Sequence, residues 1–127
     1  MLYYMKQQYA AHIFGLYERI PPPMVFAPLC SGSSGNAAFL EAGGVRLLID
    51  AGGTGKRIIE LLHEIDITAR TVDAILVTHE HSDHIAGVGV LSRKFDIPVY
   101  ANAECFERML PLIGGLPARN TRVFESD

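Results

Sequence analysis

The sequence predicts an α/β (α+β) domain in which helices cover a mixed sheet, and three observations point to this class. Short apolar runs typical of strands alternate with segments of helical periodicity along most of the chain. Hydrophobic residues make up 49% of the 127 residues and charged residues 20%, a globular composition of single-domain length. The formal net charge of −3 excludes a strongly basic nucleic-acid-binding module as an account of the whole chain.

The first 23 residues differ from the rest of the chain. They hold four of the five tyrosines and end in three consecutive prolines, which force an extended segment. We expect residues 1–23 to be an N-terminal extension, with a short helix between Met5 and Arg19. Because Met24 could serve as a start, this extension need not be native. Residues 24–127 form the predicted domain.

The first part of that domain predicts three strands and a hairpin. Met24–Cys30 is expected at a sheet edge, because Pro28 has no N–H to donate to a neighbouring strand. The polar, glycine-rich loop Ser31–Asn36 separates it from the second strand. Gly43 and Gly44 then indicate a tight hairpin turn. The second and third predicted strands are Ala37–Glu41 and Val45–Ile49.

The second part predicts three helices that alternate with strands. Apolar residues recur at i, i+3, i+4 and i+7 between Thr54 and Asp66, which indicates a helix with one buried face and Thr54 as its N-cap. The remaining predicted elements are a strand at Val72–Val77, a helix from about His84 to Phe95, a strand at Ile97–Ala101, a helix capped by Asn102 and ending near Leu110, a loop at Pro111–Asn120 and a strand from Thr121.

One six-residue stretch, His79–His84, holds three of the five histidines and an aspartate directly after a buried strand. His79 and His81 are two residues apart, so in an extended segment both imidazoles project to one side and can reach one ion. Asp83 and His84 project differently and suit a second ion. Imidazole and carboxylate are ligands of zinc, manganese and iron. Glu80 and Ser82, which alternate with these positions, are expected to be outward-facing polar residues.

The H-x-H-x-D-H pattern of residues 79–84 resembles the metallo-β-lactamase superfamily. Residues 24–41, with their S-G-S-S-G-N loop, and the L-L-I-D-A-G run at residues 47–52 are similar to its bacterial YycJ/WalJ-like branch. The resemblance extends from about Met24 to Met109. It implies an αββα sandwich, of which this chain is expected to form the N-terminal half.

The resemblance also implies a function and a set of site residues. His79 and His81 would ligate the first of two divalent ions, zinc or manganese, and Asp83 and His84 the second. The last two are the candidate catalytic residues. Asp50 would brace the metal-binding loop without ligating. The implied activity is hydrolysis of phosphodiester bonds, as a nuclease or exonuclease acting on DNA; a cyclic phosphodiesterase or a thioesterase of the same superfamily is the alternative.

The second half of a complete superfamily domain supplies three more ligands: two histidines and a bridging aspartate. No histidine follows His84 here, and of the later aspartates Asp96 does not match the bridging position and Asp127 is the last residue. We therefore expect a truncated domain with at most two ligands per ion and no turnover alone. A second hypothesis is a non-enzymatic fragment that binds metal weakly or self-associates as a homo-oligomer, burying its exposed sheet face.

The cysteines and the apolar runs bear on location. Cys30 and Cys105 form no C-x-x-C pair, and two isolated thiols fit a reducing compartment. No apolar run reaches the ~18 residues that a membrane-spanning helix needs. We expect a cytoplasmic protein with no membrane partner.

Overall fold

The computed structural model describes residues 23–125, in which six strands form one mixed sheet in the order β1-β2-β3-β4-β5-β6. The expected N-terminal extension lies outside the described residues except for Pro23, as does Asp127. The strands are β1 (Met24–Cys30), β2 (Ala37–Ala42), β3 (Val45–Ile49), β4 (Ala74–Leu76), β5 (Val99–Ala101) and β6 (Thr121–Val123). The predicted fold class, a mixed sheet with covering helices, is confirmed.

The first three strands form an antiparallel meander, as the glycine pair predicts. Gly43 and Gly44 have φ values of 57° and 80°, and Ala42 pairs with Val45 across the turn. Positive φ at both central positions is the geometry that favours glycine in a tight hairpin. β1 is an edge strand, as expected from Pro28, and its register shifts between Pro28 and Cys30.

Strands β3 to β6 run parallel to one another, and helices connect them. The helices are α1 (Gly55–Glu64), α2 (Ser82–Ile85), α3 (Val88–Phe95) and α4 (Ala103–Ile113). Because each parallel connection moves one strand in the same direction, right-handed crossovers place these helices on one face of the sheet. Short 3-10 turns at Ala69–Thr71 and Ala118–Asn120 precede β4 and β6.

The core lies between the helices and that face of the sheet. Phe39, Leu48, Ile75 and Val99 sit side by side on four adjacent strands, and each is at most 1% exposed. The opposite face carries apolar residues that are only half-buried, namely Leu40, Leu47, Leu76 and Tyr100. Within residues 23–125, no helix is long and apolar enough to cross a bilayer.

The helix predicted from His84 to Phe95 is two helices, and the break has a tertiary cause. The backbone N–H of Gly87 donates to the carbonyl oxygen of Ala51 at 2.8 Å. A Cβ at Gly87 would lie 2.6 Å from the carbonyl oxygen of Gly53. The chain therefore packs backbone to backbone here, and α2 ends at Ile85 before α3 begins at Val88.

The third predicted helix was expected to end near Leu110, but the corresponding helix α4 continues through Pro111 to Ile113. A proline inside a helix removes one N–H donor. Pro111 lies in the last turn and is exposed, while Ile113 is buried and anchors the end of the helix. Both predicted helix caps are confirmed: Thr54 accepts from the N–H of Arg57, and Asn102 accepts from the N–H of Cys105.

Candidate metal centre

Three chain segments meet at one edge of the sheet because of strand direction. β1 and β3 are each antiparallel to β2, and β4 is parallel to β3, so the carboxyl ends of β1, β3 and β4 point the same way. The segments that follow these ends are residues 31–36, 50–53 and 78–84. Ligand sites in open α/β sheets form at such strand ends.

Asp50 connects the end of β3 to the histidine-rich segment. Its side chain is buried, and its φ of 61° is a left-handed conformation that Asp tolerates better than most residues. One carboxylate oxygen, Oδ1, accepts from the backbone N–H of Thr78 at 2.7 Å. The other, Oδ2, accepts from the Thr78 hydroxyl at 2.6 Å and lies 2.7 Å from Nδ1 of His84. All these contacts orient the segment that begins at Thr78.

These contacts determine which ring nitrogens carry protons. An ionised carboxylate only accepts, so Nδ1 of His84 donates to Asp50 and Nε2 keeps its lone pair in the neutral ring. The single hydroxyl proton of Thr78 goes to Asp50, so Thr78 accepts from Nδ1 of His79 at 3.1 Å. His79 therefore also has its lone pair on Nε2. A metal-binding imidazole is commonly held this way, with its other nitrogen donating a hydrogen bond.

The side chains of the motif are brought close together. The ring centroid of His79 lies 4.6 Å from that of His81 and 3.8 Å from that of His84. Nε2 of His84 is 3.6 Å from Oδ2 of Asp83. Within residues 23–125, however, no three His, Cys, Asp or Glu side chains are grouped so that they could hold one ion. Imidazole and carboxylate donors are of the chemical kind that binds zinc or manganese. The ligand roles of these four residues stay predictions.

Backbone hydrogen bonds among Asn36, Gly52 and Asp83 form a junction that supports this cluster, and the sequence did not reveal it. The N–H of Asn36 donates to the carbonyl oxygen of Asp83 at 2.7 Å, and the N–H of Gly52 donates to the carbonyl oxygen of Asn36 at 2.9 Å. Asn36 therefore joins the loop after β1 to both other segments of the site. Together with Thr78, it is a residue that inspection of the motif alone missed. The signals for Asn36 were its place at the end of a Gly/Ser-rich turn and its presence in the S-G-S-S-G-N loop, and neither pointed to a contact with Asp83.

Glu80 lies on the outer side of the histidine segment and is half-buried there, and Ser82 is exposed as expected. The Glu80 carboxylate accepts from the Arg108 guanidinium of α4 at 3.1 Å, and Arg108 also pairs with Glu104 at 2.7 Å. A hydrogen bond from its own backbone, and then the bond from Arg108, hold the pKa of Glu80 below its usual range. The histidine segment is thus linked to α4 through its outer side.

The two cysteines and Asp96 lie outside the histidine segment. Cys30 and Cys105 are free thiols, and burial, followed by the negative charges of Glu80 and Asp50, raises the pKa of Cys105. Asp96 precedes β5 and so lies at the opposite edge of the sheet. Its carboxylate accepts from Asn120 at 2.7 Å and from Arg119 at 3.1 Å, which lowers its pKa.

The sequence and the fold of this chain are similar to those of known proteins. The family model of the metallo-beta-lactamase superfamily matches residues 31–122. The exodeoxyribonuclease YycJ of Bacillus anthracis is 46% identical over 99 residues, which are 78% of this chain and 38% of that protein. The exodeoxyribonuclease WalJ of Streptococcus pneumoniae is 46% identical over 102 residues, 79% of this chain and 38% of that protein.

A solved B3 metallo-beta-lactamase with an active-site glutamic acid has the same fold over the matched region. Its TM-score is 0.55 at 27% identity, covering 70% of this chain and 35% of that one. The chain therefore spans little more than a third of the length of these relatives.

Proposed function

This chain belongs to the metallo-beta-lactamase superfamily, and from that premise we propose that it carries the first metal-ligating segment of an exonuclease that acts on DNA. The observation that carries the metal part is the contact of Asp50 with Thr78 and His84, which leaves Nε2 of His84 and of His79 with a lone pair. The identity to two exodeoxyribonucleases supports the substrate part.

The residues of the motif take separate roles in this proposal. His79 and His81 would hold one divalent ion, and Asp83 and His84 the other, with zinc or manganese as the ions. When bound, such ions supply Lewis acidity towards a phosphoryl oxygen and activate water at neutral pH. Asp50 acts on the ligands and not on the substrate, because its carboxylate is buried and both of its oxygens contact Thr78 or His84.

Asp50 contributes orientation and proton placement. By accepting from Nδ1 of His84, it holds that ring in one position and selects the neutral tautomer that carries its proton on Nδ1. Through the Thr78 hydroxyl, it does the same for His79 over one further hydrogen bond. Because Asp50 is 5% exposed, water competes weakly for these bonds.

We propose that residues 24–127 are the N-terminal half of the catalytic domain and that further ligands complete the site. Catalytic zinc sites take three protein ligands, whereas residues 23–125 present no group of three His, Cys, Asp or Glu side chains that could hold one ion. The 127-residue chain should therefore bind zinc or manganese weakly and release no nucleotides from DNA alone.

Metal titration of the purified chain tests the first part of this proposal. Isothermal titration with Zn²⁺ and Mn²⁺ should show binding that His79→Ala and His81→Ala each weaken at least about tenfold. His63→Ala is the matched control, because His63 is an exposed histidine of α1. Equal affinities in all four proteins would show that the motif does not hold the metal.

A chimera tests the substrate part. Residues 31–122 would replace the matching segment of the S. pneumoniae exodeoxyribonuclease WalJ, and degradation of linear DNA would be followed with and without EDTA. We expect EDTA-sensitive degradation that is lost with His79→Ala and kept with His63→Ala. A chimera that binds metal and leaves DNA intact would contradict the assignment to DNA.

A further inference from the structure

We propose that Asn36 is a positioning residue for Asp83: its side-chain amide holds the Asp83 carboxylate in the orientation in which it meets a metal ion. The inference rests on the proposed function, since it concerns the same site. It also gives a role to the S-G-S-S-G-N loop, which ends at Asn36. That loop has no other assigned part in the chemistry.

The side-chain contacts fix the amide in one orientation. Nδ2 of Asn36 donates to Oδ2 of Asp83 at 2.9 Å and to the carbonyl oxygen of Gly32 at 2.8 Å. Oδ1 of Asn36 accepts from the N–H of Gly32 at 3.1 Å. A flipped amide would place an oxygen against two acceptors and a nitrogen against a donor. The donor side of the amide therefore faces Asp83.

The backbone contacts keep Asn36 from moving away. Its N–H bonds to the carbonyl oxygen of Asp83, and its carbonyl oxygen accepts from the N–H of Gly52. A Cβ on the preceding Gly35 would lie 3.0 Å from the carbonyl oxygen of Gly52, so the two loops pack at backbone distance. The amide is thus held at Asp83 by its own main chain and not only by its side chain.

The chemistry of the donor matters. An arginine or lysine at this place would orient the carboxylate too, but it would also neutralise its charge and compete with a cation. A neutral amide orients Asp83 and leaves its negative charge in place. The same carboxylate lies 3.6 Å from Nε2 of His84, so fixing it also fixes the distance between two proposed ligands.

The first experiment needs no metal. Three-bond NMR couplings report the χ1 rotamer of Asp83 in the metal-free 127-residue chain. We expect one rotamer in the unsubstituted protein and averaging in Asn36→Ala. Asn120→Ala is the matched control, because it removes another Asn–Asp contact, the 2.7 Å bond to Asp96, at the opposite edge of the sheet.

A second variant separates positioning from loop folding. Asn36→Asp keeps the oxygen that accepts from the N–H of Gly32 and the backbone bonds of Asn36, but it replaces the group that donates to Asp83 and to the carbonyl oxygen of Gly32 with a charge like that of Asp83. This variant should keep its fold, by circular dichroism, and should still lose the single Asp83 rotamer. If Asn36→Ala does not fold, Asn36→Asp alone decides the question.

The second readout is affinity for Co²⁺, used as the probe for its visible absorption. Asn36→Ala should weaken binding about 10–100-fold, the usual effect of losing a partner that orients a ligand. Asn120→Ala should not change it. A single Asp83 rotamer in both Asn36 variants, with unchanged Co²⁺ affinity, would overturn the inference. Absence of Co²⁺ binding by the unsubstituted chain would instead count against the proposed function, and the rotamer would still decide the role of Asn36.

Discussion

Replacing Gly52 with alanine should destabilise the protein strongly, because the added methyl group has no space. A Cβ at Gly52 would overlap the carbonyl oxygen of Asp83 and lie 2.5 Å from the backbone nitrogen of Asn36. Both are backbone atoms, so no side chain can rotate out of the way. Overpacking of this kind costs about 1–3 kcal/mol. The two backbone hydrogen bonds of the junction would add about 1 kcal/mol each.

We therefore expect Gly52→Ala to lower the free energy of unfolding by about 3–5 kcal/mol, measured by urea denaturation followed by circular dichroism. Gly115→Ala is the matched control, because nothing lies within 4 Å of its added Cβ and its φ is outside the left-handed region. That change should be neutral or stabilising by less than about 1 kcal/mol. Similar urea midpoints for the two variants would refute the argument that the three loops are packed at backbone distance.

Three further predictions concern single side chains. Thr78→Val removes the hydroxyl that lies between Asp50 and His79. ¹⁵N NMR should then show a changed tautomer for the His79 ring, and Zn²⁺ should bind more weakly. Thr78→Ser should restore both the tautomer and the affinity. Hydrogen bonds, of which the one from Asn120 has the largest effect, lower the pKa of Asp96 in the folded protein below its ordinary value of 3.8. The ionised Asp96 therefore stabilises the fold above pH 3.8, and this stabilisation is lost as the pH falls through the lowered pKa of the folded state. The melting temperatures of Asp96→Asn and the unsubstituted chain should accordingly converge on acidification. A maleimide should label Cys30 faster than Cys105 at neutral pH by mass spectrometry, because burial raises the pKa of Cys105; equal rates would contradict its placement in the core.

Local pattern located every strand and two of the three predicted helix starts, although β4 and β5 are shorter than predicted and α2 begins at Ser82, two residues before the predicted start. The predicted bounds of β1 and β3 are those of the structure, because turns with their own chemistry flank both strands. The helix caps at Thr54 and Asn102 also followed from residue type alone. Local pattern failed where a distant segment intervened. Gly87 interrupts a helix because its backbone packs on the loop after β3, and no periodicity near Gly87 carries that information.

The same distinction applies to the site. The spacing of the four motif residues predicted a cluster, and the structure brings their side chains together. The contact of Asn36 with Asp83 could not be predicted in this way, because 47 positions separate the two residues. The contact depends on β1 and β4 running in the same direction, with two strands, β2 and β3, between them. Such a contact becomes visible only when strand order and direction are known.

The distribution of charge around the site favours a bound cation over a purely structural role for its acids. In the part of the chain that the structure describes, the ion pairs made by arginines involve Glu41, Glu80, Glu104 and Asp96. Asp50 instead accepts from the backbone N–H and hydroxyl of Thr78 and from Nδ1 of the neutral His84 ring, and the Asp83 carboxylate accepts from the Asn36 amide.

Partly buried carboxylates that serve only structure are usually paired with a cationic side chain, because an uncompensated charge is costly away from water. Here Arg108 pairs with Glu80 on the outer side of the histidine segment, and in residues 23–125 no arginine or lysine pairs with Asp50 or Asp83. The neutral donors around Asp50 and Asp83 orient these carboxylates without offsetting their negative charge. A divalent cation bound between the histidines and Asp83 would provide that offset, so metal binding should stabilise the fold as well as assemble the site.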